Sequence, residues 1–114
     1  MKIRRNIVKE RLHQGKTVSC FAAWGYSGPD HIERLGPLQP HGVFLEGEHG
    51  NIDPSNISNF TRSCDIIGST PIVRINQNDQ GVIYRTLDLG ALGIAVPHVN
   101  NKEEAENVVE GGKF

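Results

Sequence analysis

The feature that most constrains the fold is a repeated switch of hydrophobic period. Four short apolar runs, 17–24, 42–48, 70–76 and 93–97, are each followed by a stretch with helical spacing. After the second run, Ile57, Phe60, Cys64 and Ile67 recur at three, four and three residues, the clearest amphipathic stripe in the chain. After the third, Ile83 and Leu87 are four apart. After the fourth, Asn101 stands three residues before Glu104, as in a capping box, ahead of Ala105, Val108 and Val109. A short leading helix over 6–14, stopped by Gly15, precedes the series. Strand–helix units of this size, repeated, mean a parallel sheet in an α/β fold. Two layouts fit: an open doubly wound sheet, or part of a (β/α)8 TIM barrel. A complete barrel needs about 250 residues, so these 114 residues hold about half of one as an N-terminal helix plus four βα units.

Local punctuation refines the elements. The first run is apolar enough to be buried on both faces. Ser27 or Asp30 is the candidate cap of the second helix, with Pro29 in its first turn. Asp53 is the expected cap of the third, with Pro54 at its first position, and Gly68, Gly90 and Gly111-Gly112 are the expected helix stops. Pro71 stands near the start of its strand, where proline is tolerated.

Composition excludes several function classes. The formal charge of −1 gives no electrostatic case for nucleic acid or an anionic membrane, and Lys2-Ile3-Arg4-Arg5 reads as a solvated leader. No apolar run approaches the ~20 residues of a membrane span. Met1 to Arg5 are not followed by the apolar core of a signal peptide. Cys20 and Cys64 read as small buried hydrophobes, which fits a reducing, cytoplasmic setting. No phosphate loop and no zinc-type cysteine cluster occurs.

In a parallel sheet, functional groups collect past the C-terminal ends of the strands. There the second run passes into Glu46-Gly47-Glu48-His49-Gly50, and the third ends at Arg74-Ile75-Asn76. An imidazole moves protons near neutral pH, and a guanidinium grips a carboxylate or a developing oxyanion. His49 and Arg74 therefore suit proton transfer on a substrate bearing a carboxylate and a carbonyl. His98, at the end of the fourth run, is a weaker candidate, and His13, His31 and His41 read as surface groups.

Three segments together resemble one family. Phe44 to Gly50, Pro71 to Arg74 and Leu87-Asp88-Leu89-Gly90 through Pro97 are similar, in order and spacing, to the HpcH/HpaI aldolase family. The resemblance runs from the first helix to Phe114. It implies a (β/α)8 barrel and a class II pyruvate aldolase, a carbon–carbon lyase that uses a divalent metal (Mg, Mn or Co) and acts on small 2-keto acids. By that resemblance Arg74 steadies the enolate oxygen and binds substrate, His49 is the base, and Asp88 pairs with His49 within a subunit or across an interface. Glu46 and Glu48 stand as supporting carboxylates, Glu46 in place of the aspartate of many members. The family's metal ligands, a glutamate and an aspartate, belong to later strands, so no metal ligand is assigned in this chain and the chain alone is expected to be inactive. Complete members often form homo-oligomers, hexamers among them. The alternative reading is a non-catalytic α/β module that binds a partner chain or a small keto acid, and a third is an independent open-sheet domain with an anion-binding role.

Overall fold

The computed structural model describes residues 3–23 and 28–113. The elements run α1 (Ile7–His13), β1 (Cys20–Ala23), α2 (Pro29–Glu33), β2 (Gly42–Glu46), α3 (Ile57–Ile66), β3 (Thr70–Arg74), α4 (Gln80–Asp88), β4 (Gly93–Ala95) and α5 (Lys102–Gly112). A single 3-10 turn at Gly36–Leu38 lies between α2 and β2. The four strands form one sheet in the order β1-β2-β3-β4, and every pairing is parallel. Strict sequential order decides between the two layouts. A doubly wound sheet reverses its strand order part-way across, whereas a barrel adds each strand beside the last.

The register explains how the sheet's two faces differ. Val43 and Leu45 of β2 align with Pro71 and Val73 of β3, and this face is covered by Ile32 of α2, Ile57, Phe60 and Cys64 of α3 and Ile83 of α4 in one buried cluster. The opposite face carries Phe44, Ile72 and Gly93 in register, and these remain only half-buried. It is the face that lines the interior when such a sheet closes into a barrel. α1 lies across its lower end. Val8 seats against Gly42 and its backbone N–H donates to Thr70 Oγ1 (3.3 Å), while Asn6 Nδ2 donates to the Leu92 carbonyl (2.8 Å).

Some expectations are met, the cap at Asn101 and the glycine stops at Gly15, Gly68 and Gly90 among them, and other helix starts are fixed by equally specific bonds. Asn6 caps α1 by accepting from Lys9 N, Asp79 caps α4 by accepting from Val82 N, and Asn101 caps α5 by accepting from Glu104 N. The Glu104 carboxylate reaches back to Asn100 N (2.6 Å), one residue before the cap. Gly15, Gly68 and Gly90 follow their helices in left-handed backbone.

Others are corrected. β1 is not buried on both faces: Cys20, Phe21 and Ala22 are exposed, because β1 is an edge strand with a neighbour on one side only. Cys20 is therefore an exposed thiol, while Cys64 is buried as expected. Asp53 does not cap α3. Its Oδ1 accepts from Ser55 N (2.7 Å) and Ser55 Oγ (2.5 Å), closing a turn that delays the helix to Ile57, with Asn56 at the cap position. Gly28, not Asp30, is the cap residue of α2. Gly111 does not stop α5, which continues through Gly112; a Cβ at Gly111 would lie 3.0 Å from Ile83 Cδ1, so the glycine lets α5 press against α4. Arg4 keeps the exposure expected of a leader but is also held in place. It ties the N-terminus to Asp65 Oδ1 (2.6 Å) and the Gly90 carbonyl (2.9 Å), and Arg5 pairs with Glu10. His41 accepts from Ser19 N (2.9 Å), anchoring the approach to β1. Lys2, Trp24 and Ser27 lie outside the described residues.

Candidate active site at the strand ends

β2 and β3 end on register partners, Glu46 and Arg74. Both fall on the same sheet face as Phe44 and Ile72, the inner one, at its C-terminal rim. There Arg74 grips Glu46 in a two-pronged pair: Arg74 Nε donates to Oε1 (3.0 Å), and Nη2 donates to Oε2. Glu46 Oε1 also accepts from Glu48 N (2.7 Å) and His49 N (3.1 Å). Glu46 is only 1 % exposed. Burial pushes its carboxyl up, but the Arg74 fork and the two backbone N–H groups outweigh burial and hold it below the ordinary carboxylate range. Its hydrogen bond to Glu46 in turn raises the Arg74 guanidinium above its ordinary value.

Gly47 makes the bend possible. Its N–H donates to the Arg74 carbonyl (2.8 Å), and a Cβ would meet that oxygen at 2.5 Å and the Ile52 carbonyl at 3.1 Å. The chain leaving β2 therefore lies tight against the end of β3 and turns Glu48 and His49 over the rim. Glu48 Oε2 sits 3.4 Å from Arg74 Nη1 and 3.6 Å from His49 Nε2. Its other oxygen, Oε1, is 2.7 Å from Nε2 of His98, which follows β4. The Nε–Nη2 edge of Arg74 is committed to Glu46, so its remaining N–H groups, on Nη1 and Nη2, are the ones that can meet an incoming anion.

The structure thus brings together Arg74, His49, Glu46 and Glu48. It does not bring Asp88 to them. Asp88 is the last residue of α4, which runs back from the C-terminal end of β3, so Asp88 lies toward the opposite end of the sheet. Within one chain the His49–Asp88 pair is not formed. His98, weakly signalled by its sequence position, does join the cluster, because β4 is the next strand in sheet order.

These side chains do not suit a divalent cation. Both oxygens of Glu46 are already taken by Arg74, Glu48 N and His49 N, both oxygens of Glu48 face cationic or imidazole nitrogens, and the guanidinium would repel an ion placed between them. Among the described residues no group of three or more His, Cys, Asp or Glu has the arrangement of a metal site. A groove of about 810 Å³ lies between the β3–α4 loop and α5, with His98 at its edge and Glu103, Glu104, Glu106 and Glu110 in its wall. Its acidic wall would repel a carboxylate substrate, so the rim around Arg74 is the better anion site.

The family model for HpcH/HpaI aldolase/citrate lyase matches residues 23–112. The chain belongs to the HpcH/HpaI aldolase/citrate lyase family. It is 33 % identical over 100 residues to a 5-keto-4-deoxy-D-glucarate aldolase of Escherichia coli O139:H28, covering 85 % of this chain and 37 % of that protein. The HpcH/HpaI aldolase of Desulfitobacterium hafniense DCB-2 superposes with a TM-score of 0.86 at 25 % identity, over 95 % of this chain and 42 % of its own. The citrate synthase SbnG superposes with a TM-score of 0.83 at 30 % identity, over 92 % of this chain and 42 % of its own. The chain therefore spans 37 % of the length of this curated HpcH/HpaI relative and corresponds to the N-terminal portion of the family barrel. No helix among the described residues is long and apolar enough to cross a membrane.

Proposed function

We propose that these residues form the N-terminal half of the active site of a carbon–carbon lyase, an aldolase that reversibly cleaves 4-hydroxy-2-keto acids to pyruvate and an aldehyde. One observation carries the reading: Arg74 is locked by buried Glu46 at the strand ends and shares Glu48 with His49, leaving only the edge of its guanidinium away from Glu46 to meet a substrate. Cleavage requires a base to take the proton of the 4-hydroxyl as the C3–C4 bond breaks. The bond's electron pair moves toward the C2 carbonyl and leaves an enolate, which is then protonated at C3. His49 is the group to take the hydroxyl proton. The Arg74 N–H groups not taken by Glu46, one of them now facing Glu48, hold the substrate carboxylate and the enolate oxygen, where charge develops. Glu46 fixes the guanidinium in advance, so it need not reorganise when the charge appears.

The divalent ion of complete family members takes its ligands from other barrel strands in this reading. Asp88 can orient His49 only from a second copy of the protein, which ties its role to a homo-oligomeric, hexamer-type assembly. By itself the half-barrel is inactive in this account.

The test is pyruvate release from a 4-hydroxy-2-keto acid by a complete barrel carrying these residues. His49→Ala and Arg74→Ala are each expected to cut turnover by about 100-fold or more with the fold intact. Unchanged turnover in both variants would remove the proposed roles. The alternative, a non-catalytic module that binds a partner chain or a small keto acid, is supported by the half-open sheet. It predicts keto-acid or partner binding with no turnover in any assembled form.

A further inference from the structure

We infer that His98 is a positioning residue of the strand-end site, acting through Glu48. Its role in turnover rests on the aldolase reading, while its contact with Glu48 stands on geometry alone. Among the described residues His98 Nε2 makes the shortest side-chain contact to Glu48, 2.7 Å to Oε1, although the two are 50 positions apart. A carboxylate only accepts, so the ring donates. With Oε1 held, Oε2 is left facing Arg74 Nη1 at 3.4 Å and His49 Nε2 at 3.6 Å. Among the described residues Glu48 is thereby a carboxylate shared by the candidate base, the candidate anion binder and the imidazole that follows β4.

Two further observations show that the arrangement is built rather than incidental. His98 has a left-handed backbone, φ 55°, which is uncommon outside glycine and, where it occurs, needs surrounding structure to hold it. The Asn100 side chain supplies that hold, donating to the His98 carbonyl (2.9 Å), while Asn100 N is held by Glu104 of α5. The β4–α5 connection is thus bent so that the ring, 80 % accessible even with this contact made, reaches back over the rim to a carboxylate that is 11 % accessible. Without this anchor Glu48 can rotate fully onto Arg74, which neutralises the N–H groups meant for substrate and removes the carboxylate from His49.

The experiment compares His98→Ala with His98→Gln, whose amide can still donate toward Glu48. In the protein without substrate, NMR follows the Glu48 carboxyl carbon and the His49 ring nitrogens. His98→Ala is expected to move both sets of resonances, and His98→Gln to return them toward the parent. Resonances unmoved by His98→Ala would overturn the contact. In a complete barrel that releases pyruvate, His98→Ala is expected to lower kcat about three- to tenfold with KM little changed, and His98→Gln to restore it. Parent-like kcat in His98→Ala would overturn the role. A parent barrel without pyruvate release would count against the aldolase reading, and the resonance comparison would still decide the contact.

Discussion

At the level of single residues, the strand-end site turns on Glu46. It is a buried carboxylate whose ionised form is held by one guanidinium and two backbone N–H groups. Glu46→Gln keeps the shape but loses the charge, and is expected to cost about 1–3 kcal/mol of stability, read as a lower denaturant midpoint. The pH dependence has a definite sign. The folded carboxyl titrates below its unfolded value, so its stabilisation is present above about pH 4.5 and is lost as pH falls through the lower folded value. The gap between parent and Glu46→Gln should therefore close on acidification. The two cysteines give a second check. Burial, helped by neighbouring Asp65, pushes the Cys64 thiol up to about 12, whereas Cys20 is exposed. Partial burial also pushes the Cys20 thiol up, but its exposure lets a thiol reagent reach it in the folded protein, so Cys20 should be modified before Cys64, which reacts only after unfolding. Stability should fall between about pH 9 and 12 as the unfolded Cys64 thiol ionises and the folded one does not. Arg74 and His49 were legible in the sequence because they end apolar runs. The Glu46–Arg74 fork was not, since it depends on the register that sets those two residues side by side.

At the scale of the element, the sequence was most readable where side chains speak directly to the backbone. The cap at Asn101 is a single hydrogen bond to the N–H three residues on, and the Asn101–Glu104 spacing announced it; the like caps at Asn6 and Asp79 went unread although their residue types allow them. Asn101→Ala is expected to cost about 1 kcal/mol and, through Glu104 and Asn100, to loosen the loop that carries His98; thermal melting reads the first effect and His98 resonance broadening the second. Asp53 shows the limit. An aspartate followed by proline and serine is equally a cap or an Asx turn, and the turn prevails because Ser55 supplies two donors. Gly111 shows another, since a glycine near a helix end is a stop or a packing contact depending on what lies opposite, here Ile83. Burial of β1 was misread because an apolar run does not reveal whether it has one neighbour or two.

At the scale of the whole molecule, the exposed area of 7207 Å² exceeds the roughly 6,200 Å² expected of a compact monomer of this mass by about 1,000 Å². The excess is explained by two free sheet edges, a half-covered inner face and residues such as Phe21, 44 % exposed. The protein alone is expected to self-associate in size-exclusion chromatography with light scattering; a monodisperse monomer with a sharp cooperative melt would count against the half-barrel account. Asp88 marks what no reading of one chain delivers, because its place at the far end of α4 makes any partnership with His49 a matter of assembly.

The role of Arg74 is tested by joining these residues to the remaining barrel of the Escherichia coli relative and following pyruvate release from a 4-hydroxy-2-keto acid, with and without Arg74→Ala. The account predicts turnover by the parent fusion and a loss of about 100-fold or more on Arg74→Ala, with both proteins folded by circular dichroism. Equal turnover by the two would contradict it.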